Sequence, residues 1–370
     1  MSDRCPVVVA AGGTGGHLFL AAALAHALAA RGMEVHLVTD ERAARFGADF
    51  PAHAIHRVAA ATPSVGALFS RVTAIFTLIR GTVAARGLIK RIRPRAVIGF
   101  GGYPAVPPLL AATHLRVPTL LHEGNAVIGR ANRFLASRVD AIAQGFEVLG
   151  GVPEALAAKT HLTGNPVRPS VIEAARVAFP DCRGGQLRVL VTGGSQGAAI
   201  FSDIVPAAIE IMQEAARQKL VIVQQARAED EERVRDAYRR LGVDAEVRSF
   251  FTDLPWRIAQ AHLVIARAGA STVSELAVIG RPAILVPLPH ALDQDQAANA
   301  KQFAATGAAI VVAQSAFSPQ WLATALAEAQ GDPAGLARRA AGARRAGIAD
   351  AAERLAGLVQ SVMRVKDKNR

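Results

Sequence analysis

A glycine-rich turn between an apolar run and an alanine- and leucine-rich helical pattern occurs twice in this chain. The first follows Pro6-Val7-Val8-Val9-Ala10-Ala11 and reads Gly12-Gly13-Thr14-Gly15-Gly16-His17. The second follows Leu187-Arg188-Val189-Leu190-Val191-Thr192 and reads Gly193-Gly194-Ser195-Gln196-Gly197. A buried parallel strand that feeds a tight turn into a helix presents backbone N–H groups at the positive end of a helix dipole, a rim suited to an anion or a sugar hydroxyl. Two such units predict two Rossmann-like α/β domains with parallel sheets, facing each other across a cleft.

The rest of the chain agrees with that reading. Its 370 residues, 51% of them apolar, are enough for two cores. Strand-like runs alternate with helical patterns. In the first half they fall at Val7–Ala11, Val35–Thr39, Ala96–Gly99, Thr119–His122 and Ala141–Ala143. In the second they fall at Arg188–Thr192, Leu220–Gln224, Glu246–Ser249, Leu263–Ala266, Ala283–Val286 and Ala309–Val312. The run Thr163-Gly164-Asn165-Pro166-Val167-Arg168-Pro169 breaks both periodicities and predicts the hinge. The tail from Leu336 is helical in pattern.

Cys5 and Cys182 lie far apart, which argues against a disulfide framework and fits a reducing cytosol. No signal peptide and no run of about 18 uncharged apolar residues is expected. Net charge is +12, and its distribution is uneven. No Asp or Glu stands between Asp49 and Glu123, whereas Arg57, Arg71, Arg80, Arg86, Lys90, Arg91, Arg93, Arg95 and Arg116 do. Val65, Leu68, Phe69, Val72, Ile75, Phe76 and Ile79 recur there at helical spacing. The segment suits an anionic membrane surface, or a core-facing helix with a solvated basic face. With two Tyr, two Trp and no recognition motif, no nucleic-acid partner is expected.

The first turn is neither a dinucleotide fingerprint, since Leu18 stands where its last glycine would, nor a Walker A loop. Asp40, after the second strand, keeps a ribose-binding acid open. His17 opens a helix, whose dipole favours the neutral imidazole able to accept a proton; the alternative is a histidine that caps the turn. Beyond a strand end lie His122-Glu123-Gly124-Asn125, where Asn125 can serve a sugar hydroxyl, or the four form an ordinary turn. Gly101-Gly102-Tyr103-Pro104 is a third turn after a strand.

In the second half, Arg267-Ala268-Gly269-Ala270-Ser271-Thr272-Val273-Ser274-Glu275 follows a strand. Ser271 and Thr272 suit phosphate oxygens and Glu275 suits ribose hydroxyls; alternatively, Thr272 and Glu275 form a capping box. Pro287-Leu288-Pro289-His290 then leads to Asp293-Gln294-Asp295-Gln296 and Asn299. No metal-ligand spacing appears, so no cofactor and no catalytic metal are expected.

Taken together, Gly12–His17, Gly101–Pro104, His122–Asn125, Gly164–Arg168, Gly193–Gly197, Arg267–Glu275 and Asp293–Ala300 resemble, in order and spacing, the MurG family of peptidoglycan N-acetylglucosaminyltransferases, two-domain enzymes of the GT-B glycosyltransferase fold. The resemblance covers nearly the whole chain. It implies inverting transfer of N-acetylglucosamine from UDP-N-acetylglucosamine to undecaprenyl-linked lipid I, giving lipid II for peptidoglycan synthesis. That reaction takes place peripherally at the cytoplasmic face of the bacterial inner membrane. The implied domains are an acceptor- and membrane-facing 1–164, with a helix from about 346 to 370 packing back on it, and a donor-binding 165–345.

Carried over onto this sequence, Thr14, Gly15, Gly16 and Asn125 lie near the donor sugar. Arg168 and Ser195 contact the nucleotide sugar, and Phe251 makes a backbone contact to uracil. The run Ala270, Ser271, Thr272, Val273, Ser274 and Glu275 holds diphosphate and ribose, and Gln296 contacts the sugar. His17 is the first candidate base and Glu123 the second; Arg168 or Arg267 could neutralise the leaving diphosphate. Gly124 and Ala268 depart from the family pattern, which has Gln and Ser there. Rival readings are another UDP-sugar enzyme of this fold, such as an epimerase or a lipid glycosyltransferase, a non-catalytic binding module, and a nicotinamide oxidoreductase.

Overall fold

The computed structural model describes residues 5–12, 15–40, 50–58, 68–182, 186–194, 197–289 and 294–368. They divide into two compact units, residues 1–168 with 349–370, and residues 169–348.

The first unit carries strands β1 (Cys5–Ala10), β2 (Met33–Thr39), β3 (Ala54–Arg57), β4 (Ala96–Gly99), β5 (Thr119–Glu123), β6 (Ala141–Gln144) and β7 (Thr160–Leu162). They form one sheet in the order β3-β2-β1-β4-β5-β6-β7, and every pairing is parallel. Helices cover both faces, so its central strands are apolar on both. Val7 and Val9 pack with the helix Gly15–Ala30 and with Leu355, Ala356 and Val359 of the last helix, Ala351–Lys368. Val8 and Ala10 point the other way, toward Leu88 and Ile89 of the helix Leu68–Ile92 and toward Leu109 and Leu135. The last helix is also tied by polar contacts. Arg31 donates to Gln360 (2.9 Å) and to the Glu353 carboxylate (2.7 Å), and Lys366 pairs with Asp140 at 2.9 Å.

The second unit repeats the plan with β8 (Leu187–Thr192), β9 (Leu220–Gln225), β10 (Asp244–Arg248), β11 (Leu263–Ala266), β12 (Ala283–Leu285) and β13 (Ala309–Val311), ordered β10-β9-β8-β11-β12-β13 and again all parallel. Each of the eleven strands expected from the sequence is present within a few residues. β3 and β7, at the two edges of the first sheet, were not expected. They span four and three residues, are half exposed and lack an apolar run.

In both sheets strand order reverses beside the first strand of the unit, between β1 and β4 and between β8 and β11. Loops leaving the carboxyl ends of such a pair diverge to opposite faces and open a crevice, the usual ligand position in this class of fold. The two glycine-rich turns follow β1 and β8, so each sits at its own switch point.

Candidate functional site

At the first switch point the turn after β1 meets the turn after β4. A Cβ on Gly12 would lie 3.0 Å from Asp40 Oδ1 and from Pro104, and a Cβ on Gly102 would lie 3.3 Å from the Gly12 carbonyl. Asp40, held open above as a ribose acid, is buried against this turn. Gly101 and Gly102 have φ of +83° and +69°, the left-handed region that favours glycine. His17 is the third residue of the helix Gly15–Ala30. Its ring rests on Gly101, where a Cβ would be 3.2 Å from Cε1 and 3.3 Å from Asn132 Nδ2. Thr14 lies outside the described residues; Gly15 and Gly16 open the helix.

Asn132 links this layer to the strand end. Its Nδ2 donates to Glu123 Oε2 (2.8 Å) and to the His122 carbonyl (3.3 Å). Glu123 is buried and fully occupied. Oε1 accepts from the backbone N–H (3.0 Å) and Nδ2 (3.4 Å) of Asn125, and Oε2 also accepts from the Gly129 N–H (2.9 Å). Burial raises its pKa, and these hydrogen bonds oppose the rise. A carboxylate with both oxygens turned into its own loop shapes residues 123–132 and is poorly disposed to serve as a base. Asn125 is thereby oriented from beneath, which offsets the freedom that Gly124 brings. The Gly124 carbonyl is in turn held by Asn165 Nδ2 at 2.8 Å.

His122 is wholly buried beside Phe100, with ring centroids 5.1 Å apart, and lies 3.2 Å through Nε2 from the Gly164 carbonyl. A carbonyl only accepts, so Nε2 carries the proton. Burial, with a smaller contribution from nearby His17, pushes the pKa down to about 4, so the ring is neutral at physiological pH. Arg168 stacks over Phe19, 4.7 Å from the ring centroid, within the first unit.

At the second switch point, Gly193 lies so close to the end of its own turn that a Cβ would fall 2.3 Å from the Ala198 nitrogen. Ser195 lies outside the described residues. After β11, the neighbour of β8, the helix Ala270–Ile279 begins with Gly269 as N-cap and without a side-chain cap. Thr272 is therefore the third helical residue, and the capping-box alternative fails. The first-turn N–H groups, which no intrahelical carbonyl takes, remain for an anion. Ser271, Thr272 and Ser274 are half exposed; Val273 and Glu275 turn inward, Glu275 being buried one turn beyond Ser271.

Gln296 closes this rim. Its Oε1 accepts the N–H of Ala268 (3.3 Å) and of Leu288 (3.1 Å), joining the loops after β11 and β12. Two backbone donors fix that atom as oxygen and leave the amide nitrogen for a ligand. His290 and Asp293, in the polar stretch before it, lie outside the described residues. Phe251 is buried after β10, with the Arg257 guanidinium 4.9 Å from its ring centroid. Arg267 does not meet the expectation of a free cation. Its guanidinium donates to the carbonyls of Val286 (3.0 Å) and Pro287 (3.2 Å) and to Gln314 (2.6 Å), and burial lowers its pKa. Among the described residues no three His, Cys, Asp or Glu gather as a metal site, and no helix is long and apolar enough to cross a membrane.

Two doubly wound units with glycine turns at their switch points define the GT-B class of nucleotide-sugar enzymes. Residues 7–144 match the glycosyltransferase family 28 N-terminal domain and residues 188–355 the family 28 C-terminal domain. The chain is 56% identical over 363 residues to the UDP-N-acetylglucosamine--N-acetylmuramyl-(pentapeptide) pyrophosphoryl-undecaprenol N-acetylglucosamine transferase of Sinorhizobium fredii, covering 97% of this chain and 96% of the relative. It is 55% identical to the protein of the same name from Methylorubrum populi, covering 95% and 96%. Among solved structures it superposes on Acinetobacter baumannii MurG with a TM-score of 0.78 and 30% identity, covering 97% of this chain and all of that one. A Neisseria meningitidis UDP-GlcNAc 2-epimerase shares the fold, with a TM-score of 0.67 at 14% identity and coverage of 96% and 100%. The chain belongs to glycosyltransferase family 28 and, within it, to the MurG transferases.

Proposed function

We infer that this chain transfers N-acetylglucosamine from UDP-N-acetylglucosamine to the muramyl sugar of undecaprenyl-linked lipid I, forming lipid II with inversion at the anomeric carbon. The observation that carries this reading is the near end-to-end likeness to transferases named for that reaction. The site chemistry supports it. Inverting displacement needs a base for the acceptor hydroxyl and stabilisation of a departing diphosphate. His17 is the proposed base. Glu123, offered from sequence as the second candidate, is read instead as the residue that positions Asn125 for the donor sugar. The uncapped helix Ala270–Ile279 receives the diphosphate, Glu275 the ribose, Gln296 the sugar, and the backbone of Phe251 the uracil. Thr14, Gly15, Gly16, Arg168 and Ser195 keep their proposed contacts to the nucleotide sugar. The first unit serves the acceptor and the second the donor.

The deciding assay supplies the donor with and without lipid I. UDP release and lipid II are expected only with acceptor. Rapid epimerisation of the donor alone would favour the epimerase reading. For Glu275→Ala, UDP affinity is expected to fall about 10- to 100-fold, the range for hydrogen bonds to a charged group. Affinity for 2′,3′-dideoxy-UDP, which lacks the ribose hydroxyls, is expected to change little. Unchanged UDP binding, measured by calorimetry, would remove Glu275 from the site.

The chain is also proposed to sit peripherally on an anionic membrane, at its cytoplasmic face. Of the apolar residues read there from sequence, Val65 and the side chains of Leu68, Phe69, Val72 and Ile75 lie outside what the structure describes; the remainder of the helix Leu68–Ile92 supports the reading. Gly81, Ala85, Leu88 and Ile89 are buried on one side, while Phe76, Ile79 and Val83 stand 63, 56 and 67% exposed on the other, among exposed Arg80, Arg86 and Lys90. Apolar tips ringed by cations suit the headgroup boundary, at about 1 kcal/mol per cation. A recess of about 310 Å³ bordered by Lys90, Arg93, Arg95 and Lys366 extends the basic surface. Binding to vesicles containing anionic lipid is expected to weaken steeply as salt is added and to drop in Phe76→Glu/Val83→Glu. Equal binding to neutral vesicles would contradict the electrostatic part.

A further inference from the structure

The leaving diphosphate needs compensating charge beyond the proposed contact of Arg168 to the nucleotide sugar. Arg267, also offered from sequence, is bound to carbonyls. Near the carboxyl edge of the second sheet, Arg257 pairs with Glu246 and Asp253, and Arg248 with Glu246. Arg227 is different. It follows β9, the immediate neighbour of β8, so its backbone emerges about 4.8 Å, one strand spacing, from the root of the second glycine turn.

Its side chain lies against Gly197, the last residue of that turn. A Cβ on Gly197 would lie 3.1 Å from Arg227 Cγ and 3.6 Å from its backbone nitrogen. Gly197 has φ of +69°, and the absence of a side chain there is what admits the arginine stem. The Arg227 side chain is 42% exposed, and among the described residues its guanidinium has one loose partner, Glu229 Oε1 at 3.7 Å, on a side chain itself 69% exposed. An exposed pair of that length contributes little, so the cation can be taken over by a stronger anion.

We propose that Arg227 is a cation for the donor's β-phosphate, held against Gly197 and exchanged from Glu229 to the diphosphate when the donor binds. This rests on the reading that the second unit binds a UDP-sugar. When the anomeric C–O bond breaks, the bridging oxygen keeps the electron pair, and the charge that develops on the β-phosphate falls where a forked guanidinium is effective. Glu229 would keep the arginine extended and soluble in the free enzyme.

Calorimetric titration of UDP and of UMP into the full chain tests this. Arg227→Gln is expected to weaken UDP about ten-fold, the scale of one charge-assisted contact, and UMP far less, with an unchanged melting temperature. Arg227→Lys should recover part of the loss. Glu229→Gln, which removes the competing carboxylate, should tighten UDP. Wild-type UDP affinity in Arg227→Gln would overturn the assignment, as would equal losses for UDP and UMP, or a loss confined to the KM of the lipid-linked acceptor. If the wild-type chain bound no UDP, the donor reading itself would fall, an outcome distinct from a variant that binds as the wild type does.

Discussion

Replacing His17 by alanine is expected to lower kcat about 10²- to 10⁴-fold while leaving UDP-N-acetylglucosamine binding nearly intact. His17 sits in the first turn of the helix Gly15–Ala30. Its place is set by packing. Gly101 beneath it has φ of +83°, and a Cβ there would press on ring carbon Cε1 at 3.2 Å. Gly101→Ala should therefore reproduce part of the loss by displacing the ring without removing it. The donor contacts proposed for Glu275, Gln296 and the helix Ala270–Ile279 all belong to the second unit, so binding and turnover should separate. Turnover with lipid I and donor affinity, measured side by side, check this. A His17→Ala enzyme with wild-type kcat would remove His17 as the base.

The second large effect is on stability. Arg281 is fully buried without a carboxylate partner among the described contacts, yet it is held from all sides by backbone oxygen. Nε donates to the Ala259 carbonyl (3.0 Å), Nη1 to Ile279 (2.9 Å) and Gly280 (3.1 Å), and Nη2 to Val177 (3.2 Å) and Ala178 (2.9 Å). Ala259 and Ile279 belong to the last turns of the helices Leu254–Gln260 and Ala270–Ile279, whose C-terminal dipole ends favour a cation. Burial lowers the pKa to about 10, which leaves the group charged at neutral pH. Arg281→Met fits the space but strands five carbonyls. By analogy with broken buried ion pairs, a cost of about 3–5 kcal/mol is expected. For a unit of this size that corresponds to a melting temperature lower by roughly 10 °C. Thermal unfolding followed by circular dichroism checks it; a shift under about 2 °C, within the scale of a neutral substitution, would mean the carbonyls find other donors.

Much of this was legible from sequence for a physical reason. Strands buried on both faces have to be continuous apolar runs, and Val7–Ala10 and Val189–Val191 can be little else. A glycine turn leaving such a strand is equally visible, since only glycine, without a Cβ, permits an approach like that of Gly193. What escaped depends on partners distant in sequence. β3 and β7 are strands because a neighbour supplies hydrogen bonds, not because Ala54–Arg57 or Thr160–Leu162 bury an apolar face. Thr272 and Glu275 spell a capping box, but the helix begins two residues before Thr272, at Ala270, and local spacing alone could not reveal that. Glu123 looked like a free acid in a stretch poor in acids. Only the folded loop shows both its oxygens claimed by Asn125, Gly129 and Asn132. Arg281 carries no signal in Gly280-Arg281-Pro282, because its role exists only where three chain segments end together.

The claim on which the mechanism depends is that the donor's diphosphate is bound by the N-terminus of the helix Ala270–Ile279 through peptide N–H groups, without a cation cofactor. A crystal structure with UDP-N-acetylglucosamine, grown in a divalent-ion chelator, measures this directly. Phosphate oxygens are expected within hydrogen-bond distance of the first-turn amides after Gly269, with the ribose on Glu275 and the amide nitrogen of Gln296 on the sugar. Uridine seated on the first unit, or a donor captured only after divalent ions are restored, would contradict it.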